Sequence, residues 1–214
     1  MSAKTYNELR NAVKRFSRVT SIDEDFDTII ELAEDQIYKD LRVREMIATY
    51  SATLVVGDRT LALPVRFLEA IPFGTNTVTN GVQWPIEYAI DAVDDRNISG
   101  RPRQFCVTTE IEFDVKPDFA YAFEMQHFAQ PAKLTEATNT NAILTAYPSI
   151  YFYAVMWQVN EYSKELELAD HEKSKMDMAI GAANKKFIDS QFGPAPRFAG
   201  VQHTSYRTVT MRGR

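Results

Sequence analysis

The sequence has little of what secreted, membrane-spanning and disulfide-rich proteins require. It contains one cysteine, Cys106, among 214 residues, which excludes an intramolecular disulfide framework. Cys106 lies in the apolar stretch Gln104-Phe105-Cys106-Val107, so we expect a buried structural thiol. No apolar run approaches the roughly 18 to 20 residues of a membrane span, and the first residues lack the apolar stretch of a signal peptide. We expect a soluble protein made in the cytoplasm, without a membrane partner.

Motifs of the common catalytic sites are also missing. The sequence has no phosphate-binding Gly-Lys-Ser/Thr loop, no dinucleotide-binding glycine fingerprint, no Gly-x-Ser-x-Gly elbow and no His-Glu-x-x-His helix. Glu167 and His171 have the i, i+4 spacing of two helical metal ligands, but without a second pair nearby we interpret them as surface residues. The sequence therefore predicts no enzymatic activity, no cofactor and no metal.

Asp23, Asp25 and Asp27 have part of the spacing of a calcium loop. Glu34 stands at the twelfth position of such a loop, but Thr28 stands where the turn requires glycine. Acids at the start of a helix, where they interact with the helix dipole, explain the same residues. We prefer this second interpretation.

Charge is distributed unevenly along the chain. The first 192 residues contain 20 basic and 29 acidic side chains, a net charge of −9, whereas residues 193–214 contain four arginines and no acid. The acidic body argues against a protein whose main task is to bind phosphates of nucleic acid. We expect the body and the tail to contact different partners.

Helical periodicity dominates both ends of the chain. Thr5 and Glu8 have capping-box spacing before a helix at about 5–18, which we expect to bury the face formed by Tyr6, Leu9, Val13 and Phe16. A second apolar stripe predicts a helix at about 25–42, and it consists of Phe26, Ile29, Ile30, Ala33, Ile37 and Leu41. Pro148 occupies a first helical position ahead of an apolar third helix. A fourth follows at about 166–190.

The pattern in the middle of the chain predicts β structure. Residues 47–131 contain six of the nine prolines and four of the eight glycines, with apolar residues alternating between them. We expect one hairpin between 48–56 and 60–63, a second between 104–108 and 110–115, and a strand that buries Phe119, Tyr121, Phe123 and Met125. A short helical turn is expected at 89–95 and a polar loop at 134–141.

These elements predict an α+β protein. Residues 1–192 form a single domain, in which helices at about 5–45 and 145–190 build a bundle that carries the antiparallel β insertion at about 47–131. Residues 193–214 form an extended basic arm. The aromatic residues of the third helix are typical of a core or subunit interface, and we assign to an oligomer interface Tyr147, Tyr151 and Tyr153. The arm offers a partner both apolar anchors and arginines through Arg197, Tyr206, Arg207, Val209, Met211, Arg212 and Arg214.

Several local strings resemble one known family, the head–tail adaptor (connector) proteins of tailed bacteriophages, similar to the tail-tubular and tail-accessory adaptors of short-tailed phages. Their order and spacing over residues 5–190 carry the resemblance. The strings are Asp40-Leu41-Arg42-Val43-Arg44, Leu61-Ala62-Leu63-Pro64 followed by Phe67-Leu68-Glu69, Gly100-Arg101-Pro102, the strand at 111–117, and Leu144-Thr145-Ala146-Tyr147-Pro148 running into Tyr151-Phe152-Tyr153-Ala154.

The resemblance implies a structural virion protein, made in the host cytoplasm and placed at the head–tail junction. Such adaptors form a homo-oligomeric ring, usually of twelve subunits, which docks beneath the portal protein and offers a binding site to a tail tube, nozzle or stopper protein. DNA would pass through the channel without specific binding, in agreement with an acidic wall that repels phosphates.

Two other functions are weighed against this one. A nucleic-acid-binding module would use the arginine-rich arm and the aromatic third helix, but the net charge of the body opposes it. Arg101 and Arg103 could bind a phosphate or a partner's carboxylate, and we prefer the interpretation of a surface turn with solvated arginines. A hydrolase would use Asp91 with Asp94 or Asp95 as paired carboxylates, but no accompanying base or phosphate cradle is present. We rank the adaptor first and the hydrolase last.

Overall fold

Helices from both halves of the sequence share one hydrophobic core. The computed structural model describes residues 3–17, 22, 25–72, 75–79, 81–89 and 98–192. Helix α4 packs against α1, α2 and α5, which places the most apolar helix at the centre. The helices are α1 (Tyr6–Phe16), α2 (Phe26–Asp40), α3 (Ala142–Ala146), α4 (Pro148–Tyr162) and α5 (Leu166–Phe192), with a 3-10 turn at Arg44–Met46. The α+β class predicted from the sequence is confirmed.

The start of α1 is fixed by the predicted cap. The Thr5 side chain accepts a hydrogen bond from the Glu8 amide at 3.2 Å, and the Glu8 carboxylate accepts one from the Lys4 amide at 2.8 Å. These contacts satisfy amides that have no partner inside the helix. The expectation that Phe16 shares the buried face is wrong, since Phe16 is 55% exposed at the last residue of α1.

The other predicted helices are also present. All apolar residues of the α2 stripe are buried, and Pro148 is the first residue of α4. The predicted polar loop at 134–141 has no regular structure. Helix α3 follows it and was not predicted; its start is capped by the side chain of Asn141, which accepts from the Leu144 amide at 2.8 Å.

In its described residues, the β unit contains two main sheets and one short pair of strands. In the first sheet, β1 (Ile47–Thr53) pairs along its length with β11 (Ala122–Ala129), which also pairs with β3 and β4, while β5 pairs with β4. The second sheet has the order β2-β9-β8-β6, and β10 pairs with β7. The remaining strands are β2 (Thr60–Leu61), β3 (Phe67–Ala70), β4 (Asn76–Thr79), β5 (Val82–Pro85), β6 (Glu87–Tyr88), β7 (Ser99–Gly100), β8 (Gln104–Val107), β9 (Ile111–Phe113) and β10 (Lys116–Pro117).

The predicted hairpin between residues 48–56 and 60–63 is wrong. Strand β1 ends at Thr53, and β2 pairs with β9 in the other sheet. Between the strands, Gly57 has a φ of +82° and its amide donates to the Pro117 carbonyl at 2.9 Å. This turn carries the chain from the first sheet to the second. Strand β1 pairs with β11 over seven residues, whereas a local hairpin with the two-residue β2 would offer a much shorter pairing.

The other β predictions have mixed outcomes. The hairpin of β8 and β9 is confirmed, and Tyr121, Phe123 and Met125 are buried as expected. The expectation for Phe119 is wrong, since this residue is 55% exposed before β11. Its ring meets that of Tyr121 with 5.8 Å between centroids. The helical turn expected at 89–95 lies almost wholly outside the described residues. Two short strand pairs, β6 with β8 and β7 with β10, are parallel rather than antiparallel.

Strand β11 reaches both hydrophobic cores of the protein. Phe123 and Met125 are fully buried in the core between the two main sheets. Phe128, farther along the strand, belongs to the helical core and contacts Phe187 of α5 edge-on, with 5.9 Å between ring centroids. One continuous strand thus connects the β unit to the helical layer.

Candidate interaction surfaces

Tyr151, one of the three tyrosines assigned to an oligomer interface, lies in the helical core. Its side chain is fully buried. The hydroxyl donates to Glu34 Oε1 at 3.0 Å and accepts from Asn141 Nδ2 at 2.7 Å. Burial, followed by the neighbouring Tyr38 and Glu34, raises its pKa well above the ordinary value. Tyr151 leaves no surface for another subunit, and it instead joins α4 to α2 and to the loop before α3.

Glu34 is the centre of this buried network. Its Oε1 atom also accepts from the Leu134 amide at 3.1 Å and from the Tyr38 hydroxyl at 3.4 Å. Within the described ranges, its second oxygen has no hydrogen-bond partner. Burial raises the pKa of Glu34 to about 7 despite the hydrogen bonds that oppose the rise. The sequence indicated Glu34 only as a candidate calcium ligand. No sequence pattern predicted its hydrogen bond with Tyr151 on α4.

Tyr147 and Tyr153 are partly exposed. The Tyr147 hydroxyl donates to Glu45 at 3.4 Å, so this side chain lies where α4 begins beside the 3-10 turn. The Tyr153 ring lies under the Lys175 ammonium, 5.6 Å from it. Both tyrosines keep surface that another molecule can contact.

Tyr153 belongs to a partly exposed aromatic patch. The patch consists of Phe16, Phe152 and Tyr153, with ring centroids 5.6 Å apart between Phe16 and Phe152 and 5.9 Å apart between Phe152 and Tyr153. Both pairs meet edge-on, a geometry that aromatic rings favour. Grouped apolar side chains left in contact with water mark an interaction site more often than scattered ones do.

A second surface lies on the β unit. The Arg101 guanidinium stacks over the Trp84 ring at 4.3 Å. Both residues, together with Arg103 and Ile98, line an open cavity of about 670 Å³. Trp84 is 42% exposed and Ile98 is 56% exposed. The Arg103 amide donates to Asp114 Oδ1 at 3.0 Å, and Asp114 also lines the cavity. Among the described residues, neither guanidinium forms an ion pair, so this turn presents cationic and apolar groups together.

The cysteine and histidine side chains that could serve catalysis or metal binding lie apart from these two surfaces. Cys106 is buried in β8, as predicted. His171 is exposed on α5, and His127 is buried in β11 with its ring stacked on Phe67 at 5.7 Å. In the part of the chain that the structure describes, no three His, Cys, Asp or Glu side chains form a metal-binding group. Within the same ranges, no helix is long and apolar enough to span a bilayer.

Other candidates lie outside the described residues. The paired carboxylates Asp91, Asp94 and Asp95 do, and so does the whole arm 193–214. The arm positions assigned to partner binding, Arg197, Tyr206, Arg207, Val209, Met211, Arg212 and Arg214, therefore stay a prediction.

The described residues thus present a partly exposed aromatic patch on the helical layer and an Arg101–Trp84 stack on the β unit. Residues 4–197 match the family model described as SU10 adaptor protein. The match covers nearly the whole chain, and the chain therefore belongs to this family of phage head–tail adaptor proteins. No curated protein matches the chain. Members of the family are structural phage proteins, which makes the chain a virion component that contacts other head or tail proteins.

Proposed function

We propose that the protein assembles into a ring, of twelve subunits in the arrangement implied by its sequence resemblance, which joins the capsid portal to the tail. The ring surrounds the channel through which DNA leaves the head. The observation that carries this proposal is the family match over residues 4–197 together with an aromatic patch that the protomer leaves uncovered.

Subunit contacts would cover the aromatic patch. Phe16 is 55% exposed, and Tyr153 is partly exposed beside it. Closed cyclic assemblies bury the same apolar surface on every subunit. Tyr147 and Tyr153 stay in the proposed interface, whereas Tyr151 acts inside the protomer.

The charge of the body suits a channel for DNA. Residues 1–192 carry a net charge of −9, and an acidic wall repels phosphates without releasing their counterions. DNA can then slide past the ring. A nucleic-acid-binding module would instead retard DNA in an electrophoretic shift assay at moderate salt.

The basic arm is proposed to dock on an acidic groove of the portal or of a neighbouring subunit. Arginines supply charged hydrogen bonds to carboxylates, and Val201, Tyr206, Val209 and Met211 lie between them as apolar anchors. Docking must offset an ordering cost of about 1 to 2 kcal/mol per residue.

Sedimentation of the full-length protein, alone and mixed with its portal, tests the proposed function. We expect a discrete complex of many adaptor subunits with the portal. A sample that sediments only as a monomer beside unbound portal would refute the proposal.

A further inference from the structure

A groove between α2 and α4 combines an apolar floor with an acidic rim. Its floor includes Ile29 and Leu32, its rim includes Asp25 and Glu161, and its volume is about 280 Å³. Leu32 is 49% exposed. Within the described ranges, no cation lies within 4 Å of the Glu161 carboxylate. The groove therefore combines an apolar pocket with negative charge that no cation among the described residues neutralises. These properties suit the binding of a bulky apolar side chain with basic residues beside it.

Such a side chain is present at the end of α1. Phe16 is 55% exposed although its ring meets that of Phe152, and Lys14 and Arg15 precede it directly. The Arg15 guanidinium donates to the Asn11 carbonyl of its own helix at 3.3 Å and pairs with no carboxylate in the described part of the chain. We name Arg15 and Phe16 the basic knob.

The knob and the groove lie on opposite sides of α4. Phe16 packs against Phe152, whereas Glu161 borders the groove. Phe152 and Glu161 are nine residues apart, which is about 2.5 turns of an α-helix, so they point in opposite directions. A contact between the knob of one copy and the groove of another is therefore head-to-tail rather than two-fold symmetric. Head-to-tail contacts repeat from subunit to subunit, and they form a closed ring when the rotation between neighbours divides a full turn.

We infer that Phe16 of each subunit enters the α2–α4 groove of the next copy of the chain, with the basic knob facing Asp25 and Glu161. This inference rests on the proposed ring and names the surfaces that close it. Opposite charges at the two surfaces favour the copy in this orientation and disfavour knob-to-knob and groove-to-groove contacts.

Disulfide trapping in the full-length protein tests the contact. A chain with both Phe16→Cys and Leu32→Cys, oxidised under conditions in which the wild type forms rings, should give a ladder of covalent oligomers. Each single variant supplies only one side of the contact and should give no ladder. The pair Phe16→Cys with Val82→Cys is the matched control, because Val82 is 49% exposed on β5, away from the groove.

Charge exchange provides a second, independent readout. Arg15→Glu or Glu161→Arg alone brings like charges together and should weaken self-association by about tenfold or more. Combining the two substitutions in one chain restores opposite charges and should recover most of the lost association. A loss caused by misfolding would not be recovered in this way.

The outcomes separate this inference from the proposed function. A Phe16→Cys, Leu32→Cys chain that still forms rings but gives no ladder on oxidation would overturn the inference and leave the ring intact. A ladder from Tyr206→Cys with Leu32→Cys, in place of the expected one, would overturn it too, because the arm would then occupy the groove. If the wild type forms no ring even with its portal, the proposed function and this inference both fail.

Discussion

Tyr151 on α4 donates a hydrogen bond to Glu34 on α2 across 3.0 Å of the helical core. The same carboxylate oxygen accepts from the Leu134 amide, which belongs to the loop before α3. Three segments that are far apart in sequence thus meet at one buried oxygen. Buried polar groups with several partners hold such segments in one arrangement, and removing one partner leaves the others poorly satisfied.

Tyr151→Phe removes the hydroxyl and keeps the ring. We expect a loss of about 1 to 3 kcal/mol in the free energy of unfolding, because Asn141 and Glu34 each lose a buried partner. Urea unfolding measures the loss. The matched control is Tyr153→Phe, whose hydroxyl bonds to none of the described residues and which should change stability by less than about 0.5 kcal/mol. Equal effects of the two substitutions would contradict the buried network.

Stability should depend on the protonation of Glu34. Its pKa is about 7 in the folded protein against an ordinary value of 4.5. Between these values the folded protein holds a proton that the unfolded chain releases, so the free energy of unfolding falls as pH rises from about 4.5 to about 7. The loss amounts to at most about 3 kcal/mol.

Glu34→Gln removes this titration and serves as the comparison. Over the same pH range, its free energy of unfolding should fall less steeply than that of the wild type. Parallel pH profiles for the two proteins would mean that Glu34 does not titrate in this range.

Cys106→Ser tests the structural assignment of the thiol. A hydroxyl without a partner at this buried position should cost about 1 to 3 kcal/mol in unfolding free energy, while binding to the portal stays normal. His171→Ala, at an exposed position of α5, should change neither quantity. A Cys106→Ser protein that folds but no longer supports assembly would argue against a purely structural thiol.

Local signals predicted the helices well. The Thr5 cap, the α2 stripe and the position of Pro148 each depend on neighbours within a turn or two, and the sequence contains all of them. The β8–β9 hairpin is likewise local. Pairing of β1 with β11 was missed, because Tyr50 and its partner Met125 are 75 residues apart and no turn signal joins them.

The candidate surfaces were harder to predict for the same reason. The helical periodicity placed Phe16 on the buried face of α1. The sequence does not show where the neighbouring elements stop covering that face, and Phe16 at the end of α1 is exposed. It also could not separate Tyr151, which is buried, from Tyr153, which is partly exposed. The Arg101–Trp84 stack joins residues 17 positions apart and depends on the fold of the β unit.

The arm prediction is tested in the full-length chain. Replacing Arg197, Arg207, Arg212 and Arg214 by Gln removes the positive charge of the arm and leaves its apolar anchors. We expect an unchanged unfolding transition and binding to the portal weakened by about tenfold or more. Truncation after Phe192 should weaken binding further. Portal binding equal to that of the wild type in both proteins would refute the docking role.

Electron microscopy of the purified protein mixed with its portal tests the central claim most directly. The account predicts particles in which a closed ring of adaptor subunits lies against one end of the portal, around an open channel. Particles in which the adaptor binds the portal as isolated monomers, or does not bind it at all, would contradict the account.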